Sequence, residues 1–360
     1  MVWVSMVPSG DSTPQRWSAL WRLLEGADRA GGELAALGGG AGGDDDELLR
    51  RIVELLAAGG GDDGLLAAVG RRLEEETTAI RATLRPPPAV RPGDVLAGRF
   101  ELVRELGSGG MGTVFTAVDR ELATAIALKV LRPEVAESRE ARGRFRRELQ
   151  LARRVTHPNV CRLFDLFRAE RDVLFLTMEL LAGETLAERL ERGSLPPLEA
   201  RAIARDVAAG LAAVHRAGVV HRDLKSGNVM LLADGDRCAV VTDFGLATSR
   251  DAPSRLTMSG ALMGTPAYMA PEQLQGEPAT PATDVYALGL LLYQMLTGRL
   301  PFVAANPWLA ALQRVAELVP SPRRYLPSLD PRWERAILRA LEREPERRHG
   351  GPGELVAALA

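Results

Sequence analysis

Apolar positions change their period partway along the chain. Trp17, Leu20, Trp21 and Leu24 fall at helical spacing, as do Leu48, Leu49, Ile52, Val53 and Leu56, and then Leu65, Leu66, Val69 and Leu73. Asp44 to Asp46 offer N-capping carboxylates to the second of these stretches, and Gly59 to Gly61 end it. Residues 1–85 therefore read as a small helical or partly disordered segment whose core is marginal alone. The proline-rich run PPPAVRP starts a linker, 86–97. From residue 98 the period becomes two. FELVREL (100–106), TVFTAVD (113–119), ATAIALKVL (123–131) and VLFLTMEL (173–180) read as strands, with a charged helix at 138–155 between the third and fourth. After residue 183 the pattern is mostly helical, with polar loops at 221–228, 243–272 and 276–282. Strands followed by helices predict an α+β domain of two lobes.

Composition narrows the class of partner. The 360 residues carry 45 Lys plus Arg against 47 Asp plus Glu, a net charge of −2 that exerts no global pull on nucleic acid or anionic lipid. The arginines of 139–154 are interleaved with Glu140 and Glu148, as on a solvated helix face. Two distant cysteines, Cys161 and Cys238, make no disulfide framework and point to a reducing interior. No apolar run approaches the ~18 residues of a spanning helix, and MVWVSMVPSG lacks the basic start of a signal peptide, so the expected location is the cytoplasm.

Lysine is used twice in the whole chain, at Lys129 and Lys225; every other basic residue apart from histidine is arginine. Lys129 lies within the apolar strand AIALKVL, where a buried ammonium needs an anion. Phosphate is one candidate and a carboxylate of the following helix another. Glu148 leads there, beside Leu149, Leu151 and Ala152 expected to face inward, with Glu137 and Glu140 as rivals. A snorkelling side chain with its head in water is the bland alternative. LGSGGMGTVF (106–115) has glycines at 107, 109 and 112 and runs into a strand, unlike a dinucleotide fingerprint. VVHRDLKSGNVML (219–231) gathers His221, Arg222, Asp223, Lys225 and Asn228 in one polar loop. A carboxylate at 223 can take a hydroxyl proton, an ammonium at 225 can neutralise a phosphoryl group, and the amide oxygen at 228 suits Mg²⁺. VVTDFGLA (240–247) adds Asp243 as a second oxygen ligand.

GSGGMGTV, IALK, the helix glutamate, HRDLKSGN, DFG, GTPAYMAPE and DVYALG stand in the order of the eukaryotic-type (Hanks-type) protein kinases, and the chain most resembles their bacterial serine/threonine branch. That resemblance implies a bilobal kinase domain over 98–360: a β-rich N-lobe with one long helix, 98–181, and a mainly helical C-lobe, 182–360. It implies a transferase that moves the γ-phosphate of ATP to Ser or Thr hydroxyls of proteins, with ATP and Mg²⁺ as cofactors. A nucleotide-binding pseudokinase scaffold is the alternative.

Position by position, the resemblance implies that Leu106, Gly107, Ser108, Gly109, Gly110, Met111, Gly112, Thr113 and Val114 cover the ATP phosphates. Lys129 would meet them while paired to Glu148. Asp223 would be the catalytic base, Lys225 the γ-phosphate cation, and Asn228 and Asp243 the Mg²⁺ ligands. Met178 resembles a gatekeeper, the backbone of Glu179 to Leu181 would meet adenine, and Val114, Ala127 and Met230 would sandwich it. Asp284 resembles the aspartate that anchors the HRD backbone, and Glu272 and Arg348 the buried ion pair of the C-lobe. Arg222 before Asp223 implies control by activation-loop phosphorylation, with Thr257 and Ser259 as phosphosites and Arg144 as a second clamp for the phosphate. Thr265 and His157 resemble structural positions. His215 and His349 have no metal-ligand company and are expected to be bland. The APE segment and activation loop build a platform for polypeptide, and a homodimer would allow trans-autophosphorylation. Ser226-Gly227 departs from the Pro-Glu that the family often carries, with no expected effect on chemistry.

Overall fold

The computed structural model describes residues 90–109, 112–132, 139–170, 173–233, 238–244, 266–274, 277–303, 310, 313–314 and 317–360, without the side chains of 139–144 and 266. The amphipathic stretches of 1–85, Glu137, Gly110, Met111, Thr257, Ser259 and Thr265 lie outside the described residues, as do the side chains of Glu140 and Arg144.

The strand-period region folds into one antiparallel sheet. β1 (Val95–Leu96), β2 (Phe100–Gly109), β3 (Gly112–Asp119), β4 (Thr124–Leu131), β5 (Leu163–Arg168) and β6 (Leu174–Met178) are ordered β1-β2-β3-β4-β6-β5. Alternation of side chains assigns each face. Phe115 and Ala117 of β3 and Ile126, Leu128 and Val130 of β4 join Phe100, Leu102 and Phe175 in one core. There Phe100, Phe167 and Phe175 pack with ring centroids 4.9 to 5.6 Å apart. The other parity of β4, Ala127, Lys129 and Leu131, turns to the opposite face and thus to the cleft. Besides the two-residue β1, which lies in the stretch 86–97 read as a linker, the sequence pattern of this sheet does not show β5. Asp165 and Arg168 interrupt its apolar residues, and as an edge strand it is largely half-buried.

α1 (Arg139–Ala152) lies within the expected helix and buries Phe145, Leu149 and Ala152, which recur at helical spacing, against the sheet. Leu151 does not face inward as expected; it is 37% exposed, because its position is rotated off the stripe that contacts the strands.

The second lobe is mainly helical. β7 (Gly183–Thr185) leads into α2 (Leu186–Glu191), whose capping box joins Thr185 and Glu188. α3 (Pro197–Arg216) starts with proline at its first position. β8 (Val229–Leu232) and β9 (Ala239–Val241) complete a small sheet with β7 and frame the polar loops. α4 (Pro271–Leu274), α5 (Pro281–Thr297), α6 (Pro331–Ala340) and α7 (Pro352–Ala357) follow. α5 is buried almost all round, from Thr283 to Tyr293. Gly289 lets it approach the end of α6: a Cβ there would lie 2.9 Å from that of Ala340. Another apolar cluster joins the lobes, with Ala127, Leu149, Leu176 and Met178 meeting Val214, Val219, Val240 and Phe244.

Candidate active site

The glycine hairpin lies on the rim of the cleft. β2 and β3 pair as far as Gly109 opposite Gly112, with bulges beside Leu102 and Glu105, and Leu106 is exposed. Ser108 and Thr113 hydroxyls lie 3.3 Å apart across the hairpin. Gly112 has φ +152°, and a Cβ there would meet the Val130 carbonyl at 1.9 Å, so only glycine lets β3 pass so close to β4. Behind the hairpin, Val114, Ala127, Met178, Leu181 and Met230 belong to the cluster that joins the lobes. Ala127 and Met178 are directly paired across β4 and β6. The main-chain N–H of Glu179 donates to the Arg162 carbonyl (2.9 Å), so it gives no donor to the cleft.

The polar loop before β8 is braced from within. Lys225 Nζ lies 2.9 Å from Asp223 Oδ2. Asn228 Nδ2 donates to the Asp223 carbonyl (2.8 Å) and to Oδ2 (3.2 Å). With that nitrogen committed, Asn228 Oδ1 is the atom that can serve a cation. His221 is fully buried; its Nε2 donates to the Thr242 carbonyl (3.0 Å) and its Nδ1 accepts the Asp223 N–H (3.3 Å), so the ring is held at both ends. Arg222 and Asp243 have φ of +69° and +57°, left-handed values that a non-glycine residue holds only when its neighbours enforce it.

The sequence pairs Lys129 with Glu148; the structure pairs both differently. Lys129, 4% exposed, has its ammonium 2.8 Å from Asp243 Oδ1. Glu148 Oε1 accepts from Arg222 Nη1, also at 2.8 Å. Asp243 emerges from β9 directly beneath the cleft face of β4, while Glu148 reaches the guanidinium that the left-handed turn at Arg222 presents. Two cations and two carboxylates are thereby matched across the lobe boundary. Burial opposes ionisation of Asp243, but the charge and hydrogen bond of Lys129 outweigh it and hold the carboxyl below its usual value of 3.8.

Behind the loop, Asp284 near the start of α5 does what the motif implies. Its carboxylate accepts the main-chain N–H groups of His221 (2.8 Å) and Arg222 (3.0 Å). It also meets Nε2 of His215 at 2.7 Å. His215 is therefore an anchor of the polar loop, where the sequence showed only an isolated histidine; its place in the last turn of α3 was the one available hint. Burial works against the charge on Asp284, but these hydrogen bonds, that of His215 foremost, keep its pKa below 3.8. Glu272 and Arg348 form the expected pair, at 2.7 and 2.8 Å, in full burial. His157 Nδ1 accepts from the Asn159 N–H (3.2 Å), and Asn159 Nδ2 donates to Ala239 in β9 (2.8 Å), consistent with a bracing role. His349 is buried and donates to the Ala336 carbonyl (2.9 Å). Sequence reasoning also missed Gln273, whose Nε2 donates to the Arg222 carbonyl (3.0 Å).

Comparison with known proteins agrees with this geometry. The family model described as protein kinase domain matches residues 100–350. The serine/threonine-protein kinase PkaA of Streptomyces coelicolor is 40% identical over 266 residues, 70% of this chain and 48% of that protein. PrkC of Bacillus subtilis, also a serine/threonine-protein kinase, is 36% identical over 258 residues, 71% of this chain and 39% of PrkC. The chain thus spans less than half the length of these curated relatives. The crystal structure of the Mycobacterium tuberculosis PknI kinase domain matches 75% of this chain and 98% of its own, with a TM-score of 0.61 and 29% identity. With two lobes, a braced HRD loop at their junction and a family match over most of its length, the chain belongs to the protein kinase family.

Proposed function

We propose that the chain is an active serine/threonine protein kinase that uses ATP and Mg²⁺, its kinase domain being 98–360 with N-lobe 98–181 and C-lobe 182–360. The observation that carries this reading is the convergence of four groups at one cleft: Lys129 on Asp243, and Asn228 on Asp223. A pseudokinase scaffold has no support in a chain that retains all four.

Asp223 Oδ2 is engaged by Lys225 and Asn228, which aims Oδ1 at an incoming Ser or Thr hydroxyl. The hydroxyl oxygen bonds to the γ-phosphorus as the bond to the β-γ bridging oxygen breaks. Its proton passes to Asp223, and ADP leaves with the bridging oxygen. Lys225 sits where it can neutralise the transferring phosphoryl group, and Lys129 where it can meet the α- and β-phosphates below the hairpin of Leu106 to Val114. Val114, Ala127, Met178, Leu181 and Met230 supply the apolar slot for adenine, with Glu179 to Leu181 as its backbone edge. Asn228 Oδ1 and Asp243 Oδ2 fit Mg²⁺, a hard cation that takes a few protein oxygens and completes its shell with phosphate and water. Bound there, the ion would neutralise charge on the phosphates.

Thr257 and Ser259 remain our choice of activation-loop phosphosites. A phosphate there would compete with Glu148 for Arg222, so the Arg222–Glu148 pair supports a link between phosphorylation and α1. No helix among the described residues is long and apolar enough to cross a membrane. The free Cys161 and Cys238 fit the reducing cytoplasm. The test is autophosphorylation with labelled ATP and Mg²⁺, with site mapping, beside Asp223→Asn. Asp223→Asn should lower transfer about 10²- to 10⁴-fold. A wild-type chain that moves no phosphate, or a variant that matches it, overturns the reading.

A further inference from the structure

Ser226 lies buried in the turn between Lys225 and Asn228, and its hydroxyl is 2.9 Å from the phenol oxygen of Tyr268. Tyr268 donates its proton to Oε1 of Gln294 in α5, at 2.6 Å. A phenol has a single proton, so Ser226 is the donor in its own pair. The chain of hydrogen bonds therefore runs one way, from the polar loop through the segment that follows the activation loop and into α5. Burial pushes the Tyr268 phenol above its usual range, so it stays a donor at working pH. Arg314 holds the same segment from the other side, donating to the carbonyls of Ala267 (2.7 Å) and Met269 (3.3 Å).

We propose that Ser226 and Tyr268 form a positioning pair that fixes the polypeptide platform at 266–270 against the catalytic turn, so that an acceptor hydroxyl is presented in register with Asp223. The proposal rests on the kinase reading and deepens it. Lys225 and Asp223 belong to one loop and the platform to another, and transfer is sensitive to small displacements between acceptor and base. Ser226 directly follows Lys225, so a bond from its hydroxyl to the platform acts at the point where the two must agree. Proline, which the family often carries here, has no hydroxyl and could not make the bond. Ser226 is not a catalytic residue, since its own side chain is occupied by Tyr268.

The test is steady-state kinetics of the full chain with myelin basic protein as acceptor, comparing wild type, Ser226→Ala, Ser226→Thr, Tyr268→Phe and the Ser226→Ala/Tyr268→Phe double variant. Ser226→Ala should lower kcat/KM for the acceptor about three- to tenfold, the size of one buried hydrogen bond, while the KM for ATP stays unchanged. Ser226→Thr keeps a hydroxyl and should recover most of the loss. The double variant should lose no more than Tyr268→Phe alone, because that change, which also removes the bond to Gln294, already breaks the one bond that Ser226→Ala removes. Thermal midpoints measured in parallel separate positioning from stability: a role in folding alone lowers the midpoint without the split between acceptor and ATP. Unchanged acceptor kinetics in Ser226→Ala, strictly additive losses, or an equal rise in the KM for ATP each overturn the proposal while leaving the kinase reading intact. A wild-type chain without transfer overturns both.

Discussion

Two ion pairs, Glu272–Arg348 and Lys129–Asp243, occupy the two halves of the domain's chemistry and are built in opposite ways. In the first, side-chain exposure is 0% for Arg348 and 3% for Glu272. All five N–H groups of Arg348 are placed: two on Glu272, and one each on the carbonyls of Ala282 (3.0 Å), Glu342 (2.8 Å) and Arg343 (2.9 Å). Thr283 adds a donor to Glu272 Oε1 at 2.8 Å, and the guanidinium lies 4.9 Å from the centre of the Tyr286 ring. In the second, Lys129 is 5% exposed but Asp243 is 28% exposed, and the contact is one oxygen to one ammonium. The planar fork closes a structural site from which nothing needs to leave. The point charge of Lys129 sits in a partly open site, held by a single contact.

The difference can be broken from either side. Glu272→Ala would leave Arg348 charged in full burial and should cost about 3–5 kcal/mol of stability, read as the shift of a urea unfolding curve. A cost under about 1 kcal/mol would mean that the pair behaves like a surface one. Lys129→Arg keeps the charge but replaces the compact ammonium with a fork too broad for its slot. It should reduce phosphate transfer about a hundredfold or more while leaving the urea midpoint close to wild type. Near-normal transfer by this variant would show that the slot does not discriminate between the two cations.

Acid gives the smallest and most graded effect. Burial opposes charge on Asp284, yet its hydrogen bonds win, so its folded pKa lies below 3.8. Its contribution to stability is therefore fully present above the unfolded value and is lost as pH falls through the folded one. Urea midpoints of wild type should drop on acidification below pH 3.8, and Asp284→Asn should flatten that part of the slope. Parallel slopes for the two proteins would remove Asp284 from the acid response.

Much of this arrangement could be read before any fold was known. The glycines of 107–112, the lysine of AIALKVL and the loop HRDLKSGN carry their meaning in local order, because each sits on one strand or one turn whose backbone sets where its side chains point. Lys129 was expected to be buried on an apolar strand beside an anion, and it is, with Asp243 as the anion. The partners of those residues were another matter. Glu148 was assigned to Lys129 and is found on Arg222; His215 was thought idle and holds Asp284, 69 residues away; Ser226 was set aside and bonds Tyr268, 42 residues away.

What the amino-acid sequence determined by itself was most of the alternation of strand and helix, the two-lobed plan and the set of candidate reacting groups, since periodicity and short motifs act within a single element. Which charge meets which was decided only by tertiary structure. Lys129, Glu148, Arg222 and Asp243 come from β4, α1 and the two polar loops, and each cation has more than one carboxylate within chemical reason. Hydrogen bonds and ion pairs form or fail over fractions of an ångström, a scale set by how the elements pack and not by how far apart their residues stand in the chain.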